Sequence, residues 1–394
     1  MYKYSFMYFL LILYLIGCSP SSKDNTTEAQ IPTINVKLGR NDNISRISEF
    51  LRFSHYVPLQ TNPDILINQI NKIQIINDKI YILDRKQSSV LIFDTTGTFV
   101  SKIQNKGNGP HEYLDISDFE ATSDGLLFLN DQMQGKFYVY DEAGNFQRSV
   151  QHPQQTWSFK MLPDNKLAFN PANGFGTIGV EKAKYNYVCF SNEGQVLYEA
   201  LPFNEGLIGQ KIFNGDYHSL FYQYNNSVYM SSILNDTVYN VSQATGELAP
   251  YIAFNFNTGR PNLDDSPQQV RKYLGTLRDG EYPSTPHDFY RFNNGIMAFY
   301  DYKRKPYIMI ASLAGEMLFS ARTGLDEHGI MTSYTPYLDS DNTGYVVAVA
   351  SPDNIYGQLN YCRKMNKDTS LLSDIASRID DNSNPVLLFY NWIY

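Results

Sequence analysis

The sequence predicts an all-β chain, a six-bladed β-propeller carrying two small helical insertions. Three observations carry that expectation. A strand-turn-strand unit recurs at an offset of 47 residues. Turn glycines then punctuate the chain at 97, 144, 194, 246 and 315. A single strand also stands ahead of the first unit, where a closed ring of repeats needs a partner.

The first unit is readable residue by residue. Ile70 to Ile75 opens it, and Lys79 to Leu83 follows as a run apolar on both faces. Such a run suits an inner strand held between neighbouring sheets. A polar loop from Asp84 to Ser89 leads into Val90 to Asp94. Asp94-Thr95-Thr96-Gly97 turns the chain, with glycine supplying positive φ. Thr98 to Ile103 returns as an alternating, half-exposed strand. Asp84, Asp94, Gly97 and Phe99 map without a gap onto Asp131, Asp141, Gly144 and Phe146.

Later units follow with decay. Lys166 to Phe169, Ser227 to Met230 and Ile296 to Phe299 take the place of the apolar strand. A sixth unit begins at Tyr345 to Val349 and ends at Val386 to Tyr390. Phe50 to Leu59 lacks partners of its own and is expected to complete that last sheet, because open edges invite aggregation. One helical insertion is expected near 264–275, with Ser266 as N-cap and Pro267 as first helical residue. The other spans about 354–379, where Leu371, Leu372, Ile375 and Ile379 fall at helical spacing.

At the other end of the chain, Lys3 precedes an apolar run, Phe6 to Ile16, that closes on Gly17-Cys18. The run is too short for a bilayer-spanning helix and reads as a signal peptide over 1–17. Residues 18–43 then read as a flexible tether, polar from Ser19 to Gln30, and 44–394 as the propeller.

Composition bounds the function. The 394-residue chain is 43% hydrophobic, holds 31 Tyr and 24 Phe, and carries a formal charge of -8. A diffuse acidic balance excludes the basic footprint of nucleic-acid binding. Cys189 and Cys362 are left for either one disulfide or two buried thiols, and two cysteines alone make no zinc site.

Taken together, Leu15 to Cys18, the repeat unit, and Lys106-Gly107-Asn108-Gly109-Pro110-His111-Glu112-Tyr113 resemble the six-bladed β-propeller lipoproteins of Bacteroidetes-type bacteria. Pro58-Leu59 and Asn384-Pro385-Val386-Leu387 fit the same resemblance, and the repeats are also similar to NHL repeats. The resemblance implies acylation of Cys18, which would make the membrane a partner through an N-terminal lipid. It implies a cell-envelope location, and Ser19 after the cysteine points to the outer membrane. It implies no chemistry.

Candidate site residues follow from position. Asp84, Arg85 and Asp131 are placed at the central channel or its mouth. A carboxylate ring there would offer a cation hard oxygen ligands, although Asn170 and Ser231 at the comparable places weaken it. The alternative is aspartates that cap strand-to-loop turns. His111, Glu112 and Tyr113 belong to a glycine-rich stretch that is either an anion-binding loop or a tight crossover. His111, His152 and His218 fall near blade junctions; His55, His287 and His328 are scattered. Phe289 to Phe292 and Tyr300 to Arg304 are the densest aromatic candidates for ligand stacking. No cofactor is expected. The function expected is a binding or scaffold module that presents one face to a protein, glycan or peptide. The rival is a hydrolase or lyase with a metal-assisted site at the channel mouth.

Overall fold

The computed structural model describes residues 31–152, 154–172, 184–206, 220–232, 234–258, 265–277, 280–322, 337–338 and 345–394. Six sheets form the body. Sheet 1 holds Lys72–Ile76, Lys79–Asp84, Ser89–Asp94 and Phe99–Ile103. Sheet 2 holds Asp118–Ala121, Leu126–Asp131, Lys136–Asp141 and Phe146–Gln151. Sheet 3 holds Ser158–Leu162, Lys166–Asn170, Tyr185–Phe190 and Val196–Pro202. Sheet 4 is built on Phe221–Tyr224, Ser227–Ser232, Asn235–Val241 and Leu248–Asn255, and sheet 5 on His287–Arg291, Gly295–Tyr302, Lys305–Ser312 and Met317–Arg322. In each, consecutive strands pair antiparallel.

Sheet 6 closes the ring. Tyr337–Leu338, Tyr345–Ala350 and Val386–Trp392 supply three strands, and Leu51–Pro58 pairs antiparallel with Val386–Trp392 as the fourth. The first strands of sheets 1 and 2, 2 and 3, 3 and 4, 4 and 5, and 6 and 1 touch one another. The sheets therefore circle one axis, with the first strand innermost.

That arrangement explains why the middle strands are apolar on both faces. In sheet 1, Ile80, Ile82, Leu91 and Phe93 pack with Val347 and Leu387 of sheet 6. The alternate residues Tyr81, Leu83, Val90 and Ile92 pack with Phe119, Leu129 and Tyr138 of sheet 2. Each fully buried side chain of this kind stabilises by about 1.5–3 kcal/mol. Successive residues thus enter two different inter-sheet cores, as the period of a strand dictates.

The turn glycines at 97, 144, 194, 246 and 315 all have positive φ, from 78° to 90°. Gly97 is the tightest case. A Cβ there would lie 2.2 Å from the carbonyl oxygen of Pro58, at the end of the closing strand. The Gly97 carbonyl in turn accepts the Gln60 amide at 2.8 Å. The first sheet's outer turn is therefore docked on the ring closure.

Among the described residues the insertions hold three helices: α1 (Pro267–Leu277), α2 (Pro352–Lys364) and α3 (Ser370–Ala376). Ser266 and Gln269 exchange backbone-to-side-chain bonds at 3.4 and 3.2 Å, a capping box at the α1 start. Ser351 caps α2 by accepting the Asn354 amide at 3.3 Å.

The expected tether needs correction at its distal end. Thr33–Asn35 joins sheet 4 as a fifth strand, parallel to Leu248–Asn255. Ile34 and Val36 are buried there. Arg40 then donates to the carbonyls of Met317 and Leu318, and Asp42 exchanges bonds with Ser320, all on the outer strand of sheet 5. The segment from Thr33 to Pro58 is a strap across the outer edges of sheets 4, 5 and 6. Its apolar residues alternate, so they bury on one face of an added strand. Cys18 and residues 18–30 lie outside the described residues. Cys189 and Cys362 are both buried free thiols, which decides between the two expectations for them.

Candidate functional site

The two ends of the ring differ in how the chain connects. At one end lie short turns such as 77–78, 95–98, 122–125, 142–145 and 225–226. Among the described residues, the other end holds sheet-to-sheet links at 59–71, 104–117, 154–157, 203–206, 256–258, 265–277 and 280–286, and second-to-third-strand links at 85–88, 132–135, 303–304 and 351–385. The three helices among the described residues fall in these links, α1 between sheets 4 and 5 and α2 and α3 in 351–385. This long-loop face is where a propeller offers side chains to a ligand, since the sheets hold the loops fixed.

Asp84 and Asp131 lie on this face, but not on the channel. The strand that each ends is the second of its sheet, and the first strand stands between it and the axis. Both are fully buried. Asp84 accepts from the amides of Asn68 (2.7 Å), Gln69 (3.3 Å) and Gln87 (3.1 Å), and from Gln87 Nε2 (2.8 Å). Asp131 repeats the pattern with the amides of Leu114 (2.7 Å) and Gln134 (2.9 Å). Each carboxylate clips the incoming crossover to the next turn. Strand register also moves the expected equivalent: Asn170 stands opposite Ser158 as Asn130 stands opposite Asp118, so Pro171 occupies the place comparable to Asp84 and Asp131.

The glycine-rich stretch closes on itself. Glu112 Oε2 accepts the Gly109 amide at 2.7 Å, and a Cβ on Gly107 would lie 2.0 Å from that oxygen. Glycine is needed because the carboxylate fills the space a side chain would take. Tyr113 is buried; its hydroxyl donates to Ser88 O (2.8 Å) and accepts the Asn105 amide (2.9 Å). Burial pushes its phenol pKa up. His111 is exposed and stacks on Phe146 at 4.3 Å. Residues 106–113 thus form a folded crossover whose bonds go to its own amides and to neighbouring strands and loops.

Arg85 reaches further. Its Nε donates to Ser117 O at 2.8 Å, and its guanidinium lies 4.8 Å from the ring centre of Trp157. It joins sheet 1 to the crossovers that enter sheets 2 and 3.

Near the axis, sequence reading missed a belt of polar pairs between first strands. Lys72 Nζ donates to Asp118 Oδ1 at 2.8 Å, and Asp118 Oδ2 accepts from Ser158 Oγ at 2.7 Å. Gln74 exchanges two bonds with the Ala121 backbone, and Glu120 pairs with Lys160 and accepts the Met161 amide. The available signal was charge inside otherwise apolar first strands, at 72, 118, 120 and 160.

The described histidines do not gather. His152 packs 4.1 Å from Phe137, and burial drives its pKa down to about 3. His218 and His328 lie outside the described residues. His287 opens the first strand of sheet 5, 2.9 Å from Asp288 and 3.7 Å from Asp301. Burial lowers its pKa, but hydrogen bonds and charge from the two carboxylates prevail and raise it to about 9. The Asp288 amide is held by the Tyr222 hydroxyl at 3.1 Å. Among the described residues no group of three or more His, Cys, Asp or Glu is arranged to hold a metal. Phe289, Tyr290, Phe292 and Tyr300 are buried wedges between sheets, not a stacking surface.

A second crossover, 152–157, has a different character. Asn130 Nδ2 donates to Ser117 Oγ (2.7 Å) and Thr156 O (2.9 Å), which leaves Oδ1 as the amide's other end. Among the described residues that Oδ1 has no hydrogen-bond partner, and neither do Gln154 Nε2, Gln155 Oε1 and Ser232 Oγ. Asn130, Gln155 and Ser232 are 0%, 5% and 3% exposed.

Six sheets around one axis, five of four strands and one of five, closed by an N-terminal strand, define a six-bladed β-propeller. The described sheet-to-sheet links run on one face of the ring. The chain belongs to the family of the domain of unknown function DUF4934, whose profile matches residues 31–391. No curated protein matches the sequence. Among solved structures, it is similar to a Bacteroides fragilis NCTC 9343 protein described as exported, with a TM-score of 0.73 and 20% identity over 93% of this chain and 100% of that one. It is also similar to a DUF4221 family member from Bacteroides vulgatus ATCC 8482, with a TM-score of 0.51 and 10% identity over 87% and 97%. A virginiamycin B lyase from Staphylococcus aureus reaches only a TM-score of 0.40, with 12% identity over 75% and 84%, too low to carry any argument about chemistry.

Proposed function

We propose that this chain is an exported, lipid-anchored module of the bacterial cell envelope whose long-loop face binds a protein, glycan or peptide. The observation that carries the reading is the asymmetry of the ring among the described residues: one end is finished in short turns, while the other holds the described sheet-to-sheet links and α1, α2 and α3. Leu66, Leu114 and Met133 are exposed apolar side chains on that same end, at 42%, 38% and 52%. The signal run and Gly17-Cys18 support export and acylation, and a similar Bacteroides protein is described as exported. The outer membrane is the membrane proposed.

A metal-assisted hydrolase or lyase is not favoured, because Asp84 and Asp131 already accept backbone and side-chain donors. The test is photo-crosslinking in whole cells, with the reactive residue placed at Met133 on one face or Thr96 on the other. A partner captured at 133 and not at 96 is the expected result; capture only at 96 overturns the assignment of the face. Cys18→Ser should move the protein from the membrane to the soluble fraction, and unchanged partitioning overturns the anchor.

A further inference from the structure

We propose that Asn108-Gly109 is a self-modification site, where the Glu112 carboxylate promotes closure of the Asn108 side chain onto the Gly109 amide nitrogen with loss of ammonia. The inference goes beyond the binding-face reading and does not depend on it.

The sequence holds four Asn-Gly pairs, at 108, 173, 214 and 294, and those at 173 and 214 lie outside the described residues. In such a pair the glycine nitrogen sits beside the preceding side-chain amide by covalent connection, and no Cβ obstructs its approach. The proton on that nitrogen is the obstacle. A base must lie within hydrogen-bond reach of the proton it takes. At Gly109 one does: the amide donates to Glu112 Oε2 at 2.7 Å. Glu112 is also held through its backbone, since its own amide donates to Gly109 O at 3.1 Å. The loop that carries both groups is pinned at its base. The Gly107 amide donates to Tyr113 O at 3.0 Å, and the Tyr113 amide to Asn105 O at 3.1 Å. Asn108 itself is exposed, so water reaches the reacting carbon and carries ammonia away.

Glu112 Oε2 takes the Gly109 proton as the nitrogen bonds to Asn108 Cγ. The bond from Cγ to Nδ2 then breaks, and that nitrogen leaves as ammonia with the proton that Glu112 returns. Water opens the resulting succinimide at either carbonyl, giving aspartate or isoaspartate at 108. One water enters, one ammonia leaves, Glu112 is regenerated and nothing is oxidised or reduced. Either product sets a new carboxylate beside Glu112. Isoaspartate also adds a carbon to the main chain between 108 and 109, which moves the Gly109 amide off Glu112 on the long-loop face. Asn294-Gly295 is the internal reference. Asn294 is exposed too, but Gly295 is paired with Ser312 in sheet 5, and Asn294 Nδ2 donates to Tyr394 O at 3.3 Å.

Peptide mapping by mass spectrometry tests this on the full chain, incubated at neutral pH, with isoaspartate and aspartate peptides resolved by chromatography. Asn108 is expected to convert faster than Asn294. Glu112→Gln should slow conversion at Asn108 about tenfold, below the usual gain from a positioned base because a carboxylate is a weak base for a backbone amide. The rate at Asn294 should not change. Gln Oε1 still accepts the Gly109 amide, so the variant removes the base and keeps the bond. A loosened loop would quicken conversion instead, which gives lost fold and lost base opposite signs. Unfolding the parent in urea separates Glu112 from Gly109 and should slow Asn108 relative to Asn294. A rate at Asn108 in Glu112→Gln equal to or above that of the parent overturns the proposal. So does an Asn108 that converts no faster than Asn294 in the folded chain.

Discussion

The crossovers 104–117 and 152–157 do the same topological job and are bonded in opposite ways. In the first, Glu112, Tyr113 and Asp131 meet amides and carbonyls of their own neighbourhood. In the second, Gln154 and Gln155 hold buried polar atoms that meet nothing among the described residues. One crossover is finished as structure, while the other keeps hydrogen-bonding capacity in reserve. The difference teaches that recurrence within a repeat marks what the fold needs, and that the departures from it are the better place to look for function.

Four outcomes would break or sharpen that contrast. The largest is expected at His152. Its imidazole is held at about pKa 3 in the folded chain against an ordinary 6.5. Protonation therefore favours the unfolded state, so stability is complete above about pH 6.5 and falls as pH drops toward 3. The slope is about 1.4 kcal/mol per pH unit. Urea unfolding of the parent and of His152→Phe between pH 7 and 4 should show that limb flattened in the variant; parallel curves would refute a neutral buried imidazole.

Next is Asp84→Ala, which strands several donors at once. It should cost about 3 kcal/mol, read by chemical denaturation. A loss under 1 kcal/mol would show that the clip is dispensable. Tyr113→Phe removes one hydroxyl from two partners and should cost about 1–2 kcal/mol in the same assay. The smallest effect belongs to the second crossover. Gln155→Leu should lie within about 0.5 kcal/mol of the parent or above it, because no bond is lost and a buried orphan is removed. A large destabilisation there would mean that the atom has a partner after all.

Much of the fold could be read in advance. Gly97 and Gly144 with Asp94 and Asp141 reveal the turn because the conformation is local: each aspartate binds the amides of its own turn. The closing strand was readable because Phe50 to Leu59 had no partner nearby in sequence. The placement of Asp84 was not, since which strand lies innermost depends on how sheets stand against one another. The Lys72–Asp118 and Asp118–Ser158 bonds join residues 46 and 40 apart, and no local pattern announces them. Ile34 and Val36 are too short a run to predict an added strand. The orphaned atoms of Asn130 and Gln155 are invisible in sequence, because an amide looks the same whether or not it is satisfied.

The strap has a mechanical consequence. Thr33–Asn35 lies parallel to the edge of sheet 4, and Leu51–Pro58 is the last stave of sheet 6. A tug on the N-terminal end does not meet a loose leash. It reaches first the three residues on sheet 4, then the Arg40 and Asp42 contacts on sheet 5, and only afterwards the stave that keeps the barrel shut. The early contacts act as a fuse that yields before the ring opens.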